Sequence, residues 1–219
     1  MPLSAIIFDL DGTLVDSAPG VTASLSYAFN ENNIEPSISL TSELIGPPLR
    51  ETLRLLCPNA DHSMLERLSA SFRSHYDSFG YLQTISFPGV EQMLRSLSGT
   101  KYALYIATNK RQQPTLRILN ALGWTELFDR VVSPDSVDPA LPSKSAILSH
   151  LLSEAQLDPN ECLYIGDRLD DYKSAMEIRT HFALAEWGFE GVSTDFPPDT
   201  FRLQKPDSGV LSLCLAIHD

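Results

Sequence analysis

Apolar residues along the chain follow two alternating rhythms. Ala5-Ile6-Ile7-Phe8, Tyr102-Ala103-Leu104-Tyr105-Ile106-Ala107 and Cys162-Leu163-Tyr164-Ile165 are short continuous runs. Such runs, rich in β-branched and aromatic residues and bounded by polar ones, predict buried strands. Arg130-Val131-Val132-Ser133, Phe182-Ala183-Leu184-Ala185 and residues 201–203 predict three more. Between them, apolar positions recur at helical spacing: Val90, Met93, Leu94 and Leu97, stopped by Gly99; Leu116, Leu119 and Leu122; Ile147, Leu148, Leu151 and Leu152; Ala175, Met176 and Ile178. A last helix is expected from Asp207 to Ile217. Strands and helices in alternation imply a parallel α/β sheet covered by helices on both faces.

One segment breaks the alternation. Val21, Leu25, Ala28 and Phe29 form a helical stripe stopped by Asn32-Asn33. Leu49, Leu53 and Leu56 form a second, between Gly46-Pro47-Pro48 and Pro58. Leu65, Leu68, Phe72, Tyr76 and Phe79 form a third, with Asp61 placed as its N-cap. Helices without strands over such a length are too much for an ordinary connection. The expected organisation is therefore a helical domain at 18–84, inserted into a core domain made of 1–17 and 85–219.

Composition narrows the classes. The chain has 219 residues, 43% hydrophobic and 20% charged, as in an ordinary globular protein with a core domain and a smaller one. A formal net charge of −12 argues against nucleic acid or an anionic membrane as partner, since both require a basic footprint. It does not exclude a phosphorylated small molecule, because a local cation can reverse the field of one cleft. Cys57, Cys162 and Cys214 are odd in number and widely spaced, so they are expected to stay reduced, as in the cytoplasm. His62, His75, His150, His181 and His218 lack metal-ligand spacing and read as surface or helix residues. No leader peptide and no membrane-length apolar run is evident.

The chemistry lies where the strand-like runs end, because open α/β sheets bind ligands at the C-terminal ends of their strands. The first run ends in Asp9-Leu10-Asp11-Gly12-Thr13, the second in Thr108-Asn109, the third in Gly166-Asp167 with Asp171 four residues on. Lys144 stands at a helix start between the last two. Each piece has a plain reading: an Asp-Gly turn, a helix N-cap, a solvated lysine. Together, in this order, they resemble the haloacid dehalogenase-like hydrolase superfamily, and the resemblance spans Ala5 to about Leu215. The helical insertion, Thr108-Asn109-Lys110 and Trp187-Gly188-Phe189 look most like phosphoglycolate phosphatase-like members.

The resemblance implies a Rossmann-like, doubly wound parallel sheet with a small α-helical cap. It also implies a Mg²⁺-dependent phosphatase of small phosphorylated metabolites, acting as a monomer or homodimer. Asp9 would be the nucleophile that forms an aspartyl phosphate. Asp11 would be the general acid–base, and its presence points to phosphate esters, because a halide leaving group needs no proton. Thr108, Asn109 and Lys144 would bind the phosphoryl group. Asp9, the backbone carbonyl of Asp11, and Asp167 would hold Mg²⁺, with Asp171 outside them orienting a metal-bound water or Lys144. Arg50, after the Gly-Pro-Pro turn, would read a second anionic group on the substrate, against the equal alternative of a surface residue near Glu43 and Glu51. Lys110, Arg111 and Arg168 stay unassigned. The rival readings are a phosphosugar mutase, a pyrophosphatase or nucleotidase, and, in another class, a non-catalytic binding protein.

Overall fold

Six strands run parallel in one sheet, in the order β5-β4-β1-β6-β7-β8. They are β1 (Ala5–Phe8), β4 (Ala103–Ala107), β5 (Arg130–Val132), β6 (Cys162–Gly166), β7 (His181–Ala185) and β8 (Phe201–Leu203). Two further strands, β2 (Val15–Asp16) and β3 (Ile85–Ser86), pair with each other. The structure, a computed structural model, describes residues 3–190, 195–207 and 209–217. Residue 208, within the predicted last helix, and His218 lie outside the described residues.

The chain divides into two compact units, Met1–Val15 with Ser86–Asp219, and Asp16–Ile85. In the second unit, α1 (Ala18–Glu31), α2 (Leu49–Leu56) and α3 (His62–Ser78) enclose their own core of Leu25, Phe29, Leu53, Leu68 and Phe72. Asp61 caps α3, accepting the Met64 N–H at 2.7 Å. Phe79, expected at the end of its apolar stripe, lies beyond the helix and is 63% exposed. In the first unit, α4 (Val90–Ser98), α5 (Gln112–Ala121), α6 (Lys144–Ala155), α7 (Leu169–Ile178) and α8 (Gly209–Ala216) alternate with the strands. The buried face of α5 is Pro114, Thr115, Ile118 and Leu119, so the expected Leu116 faces out, as does Met176 on α7. His181 is also not a helix residue: it opens β7, its Nε2 3.1 Å from the Asn160 carbonyl oxygen.

Strand order positions the site. The chain moves from β1 to β4 and β5 on one side, then crosses back to β6, β7 and β8 on the other. That reversal around β1 is the topological switch point where doubly wound sheets open a crevice. Phe8 sits opposite Ile106 on one side and Ile165 on the other, so three chain segments leave the sheet side by side. The cluster of Ala5, Ile7, Tyr164, Ile147 and Leu148 fixes one face of that centre.

Candidate active site

Asp9 emerges from β1 with its backbone N–H still bonded to the Ile165 carbonyl at 2.9 Å, which extends the ladder one residue past the strand. The chain then turns tightly. The N–H groups of Leu14 and Val15 both donate to the Leu10 carbonyl, and that of Gly12 donates to Val15. Gly12 takes φ +87°, and a Cβ there would strike the Asp167 carboxylate. The turn thus fixes the backbone at Asp9 and Asp11 and leaves only their side chains to adjust.

Four acids and two lysines converge. Lys144 Nζ is 2.8 Å from Asp9 Oδ1 and 3.1 Å from Asp171 Oδ1. Its helix is started by Ser143, whose hydroxyl accepts the Ala146 N–H. Asp171 also accepts from the Tyr164 hydroxyl at 2.7 Å and the Arg168 N–H at 3.1 Å. Asp171 is therefore not the helix N-cap of the plain reading: Arg168 is the N-cap, and Asp171, in the first turn, accepts its N–H. Asp167 accepts from the Phe189 N–H at 2.9 Å and, at 3.4 Å, from the Thr13 hydroxyl. Lys110 Nζ lies 3.0 Å from both oxygens of Asp11. Thr108 is buried at the end of β4, and its Oγ1 accepts the Lys110 N–H at 3.2 Å.

Counted as fully ionised, these six groups, four carboxylates against two ammoniums, carry two excess negative charges in a buried site. Burial pushes Asp9 up to about 6 although Lys144 opposes it. Burial also raises Asp167 well above the carboxylate range, with Asp171 and Asp9 adding repulsion. Lys144 is raised instead, since the pull of Asp171 and Asp9 outweighs its own burial. A divalent cation would balance that excess. Asp9, Asp167 and Asp171 can each present an oxygen, all within 4.8 Å of one another. The Lys144–Asp9 contact is close but off the hydrogen-bonding direction, so among the described residues this buried oxygen has no directed donor. An all-oxygen donor set of this charge fits Mg²⁺.

Asp9, Asp11, Thr108, Lys144, Asp167 and Asp171 thus share one end of the sheet, and Asn109 adjoins them in sequence. Arg50 belongs to the other unit, where its guanidinium pairs with Glu66 at 3.1 Å, both about half exposed. Sequence reasoning missed Tyr164, read only as a strand residue, and left Lys110 undecided. Strand alternation was the available signal for Tyr164. The Thr-Asn-Lys triplet was the signal for Lys110.

The family model for haloacid dehalogenase-like hydrolases matches residues 6–185. The chain belongs to that family. It is 28% identical to a phosphoglycolate phosphatase of Nitrosospira multiformis over 86% of each chain. It is 32% identical to the tyrosine-protein kinase PtkA of Mycobacterium tuberculosis over 84% of this chain but 62% of the kinase, so it spans less than two thirds of that relative. A haloacid dehalogenase-like family hydrolase from Streptococcus pneumoniae superposes with a TM-score of 0.84 at 29% identity, over 96% of this chain and 98% of that one.

Proposed function

We propose that the chain is a Mg²⁺-dependent phosphatase that hydrolyses a small phosphate monoester through an aspartyl phosphate on Asp9, with a phosphoglycolate-like ester as the substrate class. The observation that carries this reading is Lys144 between Asp9 and Asp171, with Asp167 at ligand distance beside them. Asp9, Asp167 and the Asp11 carbonyl would hold Mg²⁺, which neutralises phosphate charge as it approaches an anionic nucleophile. An oxygen of Asp9 attacks phosphorus, a bond forms between them, and the ester P–O bond breaks. Asp11 gives its proton to the departing alkoxide. It then takes one from the water that attacks the aspartyl phosphate, releasing phosphate and restoring the Asp9 carboxylate. Lys144 holds Asp9 in place and offsets charge on the transferring group, and Thr108 and Asn109 bind its oxygens.

A screen of the purified protein against a panel of phosphate esters, with and without Mg²⁺, tests this by reading free phosphate. Asp9→Asn should remove all turnover; wild-type rates in that variant would end the covalent scheme. Similarity to PtkA supports a second reading, phosphoryl transfer to a protein tyrosine. Incubation with ATP and a tyrosine peptide separates it, since labelled peptide rather than free phosphate would accumulate. The proposed role of Arg50 requires its guanidinium to leave Glu66 for a substrate anion. Arg50→Ala should then weaken catalysis only for substrates with a second anionic group and leave p-nitrophenyl phosphate unaffected.

A further inference from the structure

Lys110 is a buried cation not yet assigned a part in the chemistry. Its side chain is 8% exposed, that of Asp11 11%, and Nζ stands 3.0 Å from each carboxylate oxygen. Contact with both oxygens holds the carboxylate beside a compact, point-like ammonium. The approach follows from local structure. Thr108 ends the β4 segment by bonding to the Val132 carbonyl, and its hydroxyl accepts the Lys110 N–H two residues on. This side-chain turn bends the chain at Asn109 and sends Lys110 across to the neighbouring loop after β1.

The pairing has a chemical consequence. Asp11 is two residues from Asp9, beside a site with an excess of negative charge that fits a divalent cation. An untethered carboxylate there would be drawn onto the cation as one more ligand, and would no longer face a leaving group. Lys110 competes for it.

We propose, resting on the acid–base reading of Asp11, that Lys110 is a positioning residue: it tethers the Asp11 side chain in the resting site, so that the group stands ready to face the leaving-group oxygen when it carries the proton. Its contribution should scale with how much the leaving group needs a proton. Alkyl esters leave poorly and depend on Asp11, whereas p-nitrophenolate leaves without help.

The test is a single-turnover cycle of wild type, K110M, K110R, D11N and K110M/D11N at saturating Mg²⁺, on one alkyl phosphate and on p-nitrophenyl phosphate. It reads only the ester-cleaving step (release of alcohol or p-nitrophenolate), which precedes the hydrolysis common to both substrates. K110M should lower the maximal rate of alkyl-ester cleavage in that single turnover by about 10- to 100-fold, as expected for groups acting as one unit. KM should hold, and the aryl ester should change by less than about threefold on the same argument. K110R should recover most of the loss, and the double variant should be no slower than D11N. Equal losses on both esters, or additive losses in the double variant, would overturn the proposal. So would wild-type rates in K110M while D11N is slow, leaving the phosphatase reading intact. An unaffected D11N would remove the acid–base role itself, and this inference with it. If circular dichroism shows K110M unfolded, K110Q, which keeps a donor but no charge, takes its place in the same comparison.

Discussion

A carboxylate buried as deeply as Asp9 keeps its charge only while cations stand beside it, and Lys144 supplies one at 2.8 Å. The two aspartates of the first loop are therefore expected to respond differently to the same change. Asp9→Asn should keep the fold and, on the proposed mechanism, remove the nucleophile, so phosphate release should fall below detection. Asp11→Asn keeps its backbone carbonyl, so Mg²⁺ affinity by calorimetry should persist while kcat drops by ~10²–10⁴, the usual loss for a general acid–base. Equal loss of metal affinity in both would contradict the separate roles. Arg50 is a different case, because its pair with Glu66 is exposed on both sides. Exposed pairs contribute about 0–1 kcal/mol, so Arg50→Ala should leave the urea midpoint nearly unchanged.

Turns and caps decide how the elements deliver these side chains. The loop after β1 works because Gly12 can hold φ +87° with its missing Cβ directed at Asp167. Gly12→Ala should cost about 1–3 kcal/mol from backbone strain alone. It should also weaken Mg²⁺ binding by displacing the Asp167 carboxylate; calorimetry showing unchanged affinity would refute that coupling. In the helical unit the corresponding device is the Asp61 cap on α3. Asp61→Ala should destabilise by about 1 kcal/mol, read as a lower denaturation midpoint, with ester hydrolysis under saturating conditions unchanged.

For the whole molecule, the buried acids predict an unusual dependence of stability on pH. The folded-state value of Asp9 is raised to about 6, above the ordinary carboxylate value near 4. A raised value means that the native state binds the proton more tightly than the unfolded chain does. Its contribution is therefore full below about pH 4 and is lost as pH rises through about 6, on the order of 3 kcal/mol in the metal-free protein. Asp167 acts in the same direction. Thermal melts in chelator from pH 4 to 7 should fall more steeply for wild type than for Asp9→Asn. Mg²⁺ should restore most stability at the upper end, since metal binds the deprotonated acids. Parallel curves for the two proteins would refute the assignment.

The sequence by itself determined the alternation of strands and helices, the helical insertion and the motif acids. Hydrophobic period and turn residues are local properties, and Asp9, Asp11, Asp167 and Lys144 are visible as polar residues ending or following apolar runs. It could not orient helix faces in detail, as Leu116 and Met176 show, because a spacing of three or four leaves the centre of the buried stripe open by one residue. Only tertiary structure decided which cation meets which acid. Lys110 and Asp11 are 99 residues apart, and Tyr164 reaches Asp171 only because a strand and the following helix fold back on each other. The strand order β5-β4-β1-β6 was likewise not encoded in any local pattern. It is set by packing across the sheet, and it brings three separate loops within the few ångströms over which buried charges act strongly.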